Sequence, residues 1–377
     1  MSETVHSGPG GGSSDVTGAS TPSATPQTGG GSSWTTQRVV LAVIAAAVVI
    51  WIAIKAADNF SQFVTVTLNG LSLSALYFVV ASGFTLIFGL MRVVNMAHGT
   101  LYLFGGYLAL NFQQKLFADD GGGLNLSLSA GGGGGGGEYN LIGWIVPLAM
   151  AVIIIGILGI AIQQLFLRWN QGQDLRQALI TIAISVVAAD QMLAAYGGIA
   201  KDVKAPSSFP ESVHIGSSTV GFFRLVIVVG SALVIGLGLW LLFRKTRYGK
   251  IVRAGVDDRD MVSALGINVQ LVFAGAFFIG AMLAGYGGVL GGTMLSLQPG
   301  EDTSFLLNSL IVVIIGGMGS LGGAAIGAIA LGLVDAYADV YLIFGDTDLT
   351  NYSILLTFAL LVVVLAVRPL GLFGRPA

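Results

Sequence analysis

The chain has 377 residues, 54% of them apolar and only 10% charged, with a formal net charge of −2, three histidines and no cysteine; its mean hydropathy is +0.83. So little charge excludes an ordinary soluble domain, and near-neutrality removes the electrostatic argument for nucleic acid. The missing cysteines exclude disulfides, thiol catalysis and thiolate metal sites, and three scattered histidines (His6, His98, His214) give no reason to expect a metal centre.

Residues 1–37 are rich in Gly, Ser, Thr and Pro and are expected to form a disordered tail. The first apolar run, 39–54, follows the first basic residue, Arg38, and reads as an uncleaved first span rather than a signal peptide. Further apolar segments fall at about 67–90, 96–112, 141–167, 177–198, 223–243, 271–294, 304–317, 322–337 and 353–367. A segment inside a bilayer must satisfy its own backbone, so it is a helix or a strand of a closed barrel. The strict alternation of barrel strands is absent here. The expectation is an all-α polytopic membrane helix bundle of about ten crossings over 38–377. Eight crossings with a re-entrant hairpin at 304–337 are the alternative, because 304–317 and 322–337 are short.

Charge orients these spans. Basic residues gather in 244–259, at Arg168 and Arg176 and at Arg368 and Arg375, while 113–140, 295–303 and 338–352 are acidic. The positive-inside rule places the loop 244–270 and both termini in the cytoplasm and the acidic loops outside. The outer loop 113–140 contains the seven-glycine run 131–137, which reads as a flexible insertion. Glycines inside the spans, as in GAFFIGAMLAGYGGVLGG (275–292), are expected to let helix backbones approach closely.

Several polar groups sit where apolar residues would be expected. The stretch FGLMRVVNMAHGTLYLFGGYLAL (88–110) carries Arg92, Asn95 and His98. Arg92 lies near the membrane edge and can snorkel to water. Asn95 suits the N-cap of the third helix. His98, one turn on, is either a core histidine bonded to a carbonyl or a gate residue of the transport path. Gly99 leaves room for a neighbouring backbone. Asp190, read as the acid lying well inside a span, should face the bundle interior or a wet cavity, either lining a path or gluing two helices. Asn308 is a further polar group, and Gly316 and Gly317 open the link GGMGSLGG (316–323) between two short segments, the pattern of a broken-helix substrate path.

In the basic loop, VDDRDMVSALGI (256–267) reads as a short helix. Asp257 can cap it, Asp258 and Asp260 suit its positive end, and Met261, Ala264 and Leu265 share one face. Gly266 can take the left-handed conformation that ends it. Two turns are not stable alone, so this helix must dock, on its own bundle or in a groove of another protein.

The segment RYGKIVRAGVDDRDMVSALGINVQLVFAGAFFIGAMLAGYGGVLGG (247–292) resembles the LivH-type permease subunits of branched-chain amino acid ABC importers. Their cytoplasmic pattern R-(A/V)-x-x-E-D-x-x-x-A-x-x-L-G-I falls on Arg253, Asp257, Asp258, Met261, Leu265, Gly266 and Ile267, with Asp257 in place of the usual Glu. Gly83, Phe88, Gly89, Val94, Asn95, Met96, Ala97, His98 and Gly99 meet a second pattern of these permeases, where Thr100 replaces an acidic residue. IIGGMGSLGGAAIGAIALGL (314–333), AAYGGIAKDVKAPSSFP (194–210) and the tail RPLGLFGRPA (368–377) are similar too, and Asn308 stands where many of these permeases have lysine. The resemblance runs from about residue 67 to the C-terminus.

The resemblance implies a non-enzymatic permease subunit of an ATP-driven importer in a bacterial or archaeal cytoplasmic membrane, working by alternating access. No GxxxxGK[ST] loop occurs in the chain, so ATP would be bound and hydrolysed by separate ATPase subunits, and this chain would carry no cofactor. Its other partners would be a second related permease subunit, or a second copy of itself, and an extracytoplasmic binding protein. Arg253, Asp257, Asp258, Met261, Leu265 and Gly266 would couple it to the ATPase. Asn95, His98, Gly99, Thr100, Asp190, Asn308, Gly316 and Gly317 are the candidate substrate-path residues. Branched-chain amino acids are the expected cargo, with urea or short amides as the alternative. A stand-alone secondary transporter or channel is the rival from another class, and a hydrolase using His98 and Asp190 lacks a nucleophile beside them.

Overall fold

The computed structural model describes residues 52, 54–91, 94–117, 140–170, 172–215, 218–257, 259–344, 347–348 and 350–374. The tail 1–37, nearly all of the first span at 39–54, Arg92, the polyglycine run and Asp258 lie outside them. The chain divides into 1–52 and 53–377, and the second unit is the one described below.

Its helices are α1 (Phe60–Met91), α2 (His98–Phe117), α3 (Leu141–Ile162), α4 (Asp174–Tyr196), α5 (Val229–Lys245), α6 (Arg247–Asp257), α7 (Arg259–Ala264), α8 (Val269–Met294), α9 (Glu301–Gly316), α10 (Leu321–Tyr341) and α11 (Ser353–Val367). α3 continues through a π-turn and a short 3-10 turn to Asn170, and α5 is preceded by a π-turn at Phe223–Val228. Two small hairpins that the hydropathy pattern does not reveal lie between α4 and α5 and between α10 and α11: β1 (Ser212–Ile215) pairs antiparallel with β2 (Ser218–Gly221), and β3 (Ile343–Phe344) with β4 (Thr347–Asp348).

Among the described residues, six helices are long and apolar enough to cross a membrane: α1, α3 with its extension, α4, α5 with its π-turn, α8 and α10. α11 is apolar but shorter. α2 and α9, which the sequence counts as crossings, do not meet that measure. α2 ends in the polar stretch Asn111–Lys115, and α9 has 16 residues, a rise of about 24 Å. α2 is packed inside the bundle against α3, α8 and α9, and α9 packs one side against α1, α2 and α10.

The core runs through the middle of the bundle. Leu76, Val79, Val80 and Phe84 of α1 meet Tyr102 and Tyr107 of α2, Ile155 of α3, Phe277, Ala281 and Leu290 of α8, and Val312 and Ile315 of α9. Apolar burial gains little where lipid is the alternative, so close van der Waals packing must hold such helices together. A side chain on Gly105 would place its Cβ 2.5 Å from Gly285 Cα, and one on Gly106 would be 2.8 Å from the Gly288 carbonyl. α2 and α8 therefore touch backbone to backbone. A second cluster, Leu86, Leu90, Val252, Val262, Val269 and Phe273, seals the end of the bundle where α6 and α7 lie.

Candidate functional site

α2 begins inside the protein. Asn95 is buried, and its side-chain oxygen accepts the Ala97 N–H at 3.1 Å, turning the chain into the helix. The Met96 N–H donates to Thr181 Oγ1 of α4 at 3.1 Å, and Thr100 shares a 2.7 Å hydrogen bond with Ser185 of the same helix. His98 is fully buried, with Nε2 3.0 Å from the Val80 carbonyl and its ring edge-on to Phe84. A Cβ on Gly99 would run into the Asp302 carbonyl and lie 2.9 Å from Leu306 Cβ, so the start of α2 is pressed against the start of α9. Four of the sequence candidates, Asn95, His98, Gly99 and Thr100, thus form one buried turn walled by α1, α4 and α9. Asn95 Nδ2 and His98 Nδ1 have no hydrogen-bond partner in that enclosure among the described residues. Buried polar atoms left unpaired are costly and mark places where water or a solute completes the set.

The remaining candidates are elsewhere. Asp190 is exposed, not turned to the bundle interior. α4 meets its neighbours through Gln177, Thr181, Ser185 and Met192, and nine residues on from Thr181 is about 180° round a helix. Asp190 therefore points away from the contact stripe. Gly316 and Gly317 are packed against backbone. Gly316 abuts the Gly323 backbone, and Gly317, at φ +95°, closes α9 with Gly374 of the C-terminal tail against it. The tail is held there because Leu372 N–H and Phe373 N–H donate to the Ile315 and Gly316 carbonyls at 2.9 and 3.0 Å. Asn308 is half-buried, and its Nδ2 donates to the Tyr77 hydroxyl at 3.0 Å.

Sequence reasoning missed two groups. Asp335 lies inside α10, so Asp190 is not the sole acid within a span; the signal was available, since an acid in the apolar run 322–337 is itself a functional flag. Gln163 stands in the π-turn ending α3, fully buried, with both amide atoms unpartnered among the described residues. Nothing in QQLFLRW distinguishes its inward face from an outward one. Among the described residues, no group of three or more His, Asp or Glu is placed to hold a metal ion.

The basic loop builds a second surface. Thr246 caps α6 by accepting the Gly249 N–H at 3.2 Å. The Tyr248 hydroxyl donates to the Val272 carbonyl at 3.0 Å, and burial pushes its phenol up to about 12, so the tether keeps its proton. α6 runs on to Asp257, which therefore ends one helix instead of capping the next. The chain stays helical there because Val252 is drawn into the second cluster. Arg253 is exposed and bonds back to the Gly249 carbonyl at 3.2 Å. α7 stops as its sequence predicts: Gly266 has φ +79°, its N–H donates to the Ser263 carbonyl at 3.0 Å, and Ile267 N–H reaches the Val262 carbonyl at 3.4 Å. This is a Schellman stop, with Val262 and Ile267 supplying its apolar contact. Val262 turns inward, while Met261 and Leu265 are 63% and 71% exposed.

Comparison with known sequences fits this architecture. The profile of the family described as "Branched-chain amino acid transport system / permease component" matches residues 66–365. The high-affinity branched-chain amino acid transport permease proteins LivH of Salmonella typhimurium and of Escherichia coli K12 are each 30% identical over 327 residues, covering 85% of this chain and 98% of theirs. BraD of Pseudomonas aeruginosa, named for the same system, is 29% identical over 316 residues, covering 82% of this chain and 94% of its own.

Proposed function

This chain belongs to the branched-chain amino acid transport permease family, and we propose that it is one transmembrane subunit of an ATP-driven importer of branched-chain amino acids. The observation carrying this reading is similarity over nearly the full length of LivH and BraD, proteins named for that transport. In this reading ATP is hydrolysed on separate subunits, and a binding protein delivers cargo from outside. The path is completed by a second permease, a related subunit or another copy. The basic loop and both termini face the cytoplasm.

The geometry supports a division of labour. α7 is fastened to the bundle by Val262 and its glycine stop, yet presents Leu265 outward. An ATPase groove that takes this face would move α7, and with it the ends of α1, α5 and α8 gathered in the second cluster. The buried turn at Asn95–Thr100, where α1, α2, α4 and α9 meet, would respond by opening to one side or the other.

The test is reconstitution with the cognate ATPase and binding protein in proteoliposomes. ATP-dependent uptake of labelled leucine, isoleucine and valine is expected. Uptake of urea or acetamide in place of leucine would overturn the cargo, and uptake without the ATPase would overturn the importer reading itself.

A further inference from the structure

Asp335 sits in α10, a helix long and apolar enough to span the membrane. A carboxylate there must be hydrogen-bonded to be tolerated, and both of its oxygens are. Tyr77 of α1 donates its hydroxyl to Oδ2 at 2.8 Å, and Thr357 of α11 donates to Oδ1 at 2.7 Å. Both donors are themselves buried, at 6% and 3% exposure.

This pairing sets a direction for the next bond. A phenol has one proton, and here Asp335 takes it. The Tyr77 oxygen is left to accept, and it accepts from Asn308 Nδ2 at 3.0 Å. The Asn308 amide is therefore turned with its NH2 toward Tyr77 and its carbonyl oxygen away. That oxygen has no hydrogen-bond partner among the described residues. Asn308 is only half-buried, and Ser304, one turn before it on the same side of α9, is exposed. The chain of polarity thus runs from a half-buried acid to an amide oxygen at an open helix face.

We propose that Asp335 and Tyr77 are positioning residues that fix Asn308 as an acceptor for an N–H donor on the cargo, the ammonium of an amino acid. This rests on the reading of Asn308 as a path residue of the importer. Asp335 does not touch the cargo. It decides which end of Asn308 does.

The test reverses the polarity. In Asp335→Asn, Thr357 still donates to the amide oxygen, so the new NH2 faces Tyr77. The Tyr77 proton then turns to Asn308, which flips and offers its own NH2 to the path. The reconstituted importer is expected to show about a tenfold higher KM for leucine, the scale of one hydrogen bond to a charged group, with little change in kcat or melting temperature. Adding Asn308→Asp should rescue it. That carboxylate accepts from Tyr77 and keeps an outward acceptor, so KM should return to within about threefold of the parent, well inside the tenfold loss being reversed.

A threonine hydroxyl can also accept, so an unchanged KM in both Asp335→Asn and Tyr77→Phe overturns the proposal. So does a raised KM that Asn308→Asp fails to lower while melting is normal. Should Asp335→Asn fail to assemble, Tyr77→Phe decides, because it cuts the same chain with one hydroxyl and its unchanged KM would be equally fatal. Absence of ATP-driven leucine uptake by the unaltered protein would instead count against the importer reading, which separates the two failures.

Discussion

Leu265→Ala tests the coupling face most directly. Leu265 is 71% exposed on α7. Full burial of a leucine side chain is worth about 1.5–3 kcal/mol, so roughly 1–2 kcal/mol remains to be gained if a partner covers it. Truncation to alanine should then weaken association with the ATPase by about 5–30-fold. Leu265→Asp should do more, because it places a charge in an apolar groove. Neither change should affect the isolated permease by more than about 0.5 kcal/mol, as the side chain supports nothing in its own bundle. The assay titrates nanodisc-embedded permease with the cognate ATPase and follows binding and ATPase stimulation, with a melting curve for each variant. Unchanged affinity in both variants would refute docking through this face. A melting loss that parallels the affinity loss would show Leu265 to be a folding residue instead.

Three further outcomes are expected. Gly266→Ala meets open space, but at φ +79° it should fray the end of α7 at a cost of about 1–2 kcal/mol, seen as faster amide exchange confined to 259–267; uniform exchange would contradict the Schellman stop. Gly105→Val should cost about 1–3 kcal/mol or more, because its Cβ falls 2.5 Å from Gly285 Cα, and a melting temperature equal to the parent's would mean α2 and α8 are not in backbone contact. Asp190→Leu should leave melting unchanged, since Asp190 is exposed and points away from the contact stripe of α4. A fall in melting for the leucine variant would place Asp190 in a contact instead.

Much of the basic loop's local structure was legible in its sequence. The stop at Gly266 and the shared face of Met261 and Leu265 are local properties of a dozen residues, and helical spacing reveals them. The capping role given to Asp257 was not, because it depended on where α6 ended, and α6 is prolonged by Val252 packing onto distant Leu86 and Phe273. The start of α2 divides in the same way. NMAHG announced a polar turn at a helix entrance, but that His98 meets Val80, and Thr100 meets Ser185, required four helices to be brought together.

By itself, then, the sequence determined that this protein is a bundle of membrane helices and which family they resemble. Each follows from composition and short-range pattern. What only the tertiary structure decided is which way the helices face. In a bilayer both the lipid side and the core side of a helix are apolar, so hydropathy cannot separate them. Asp190 and Asp335 look alike in the chain, yet one lies exposed and the other is held by Tyr77, 258 positions earlier in the chain. α2 and α9 read as ordinary crossings, yet packing buries most of α2, while α9 keeps an open face at Ser304. Side-chain direction depends on neighbours supplied from far along the chain, and no local pattern contains them.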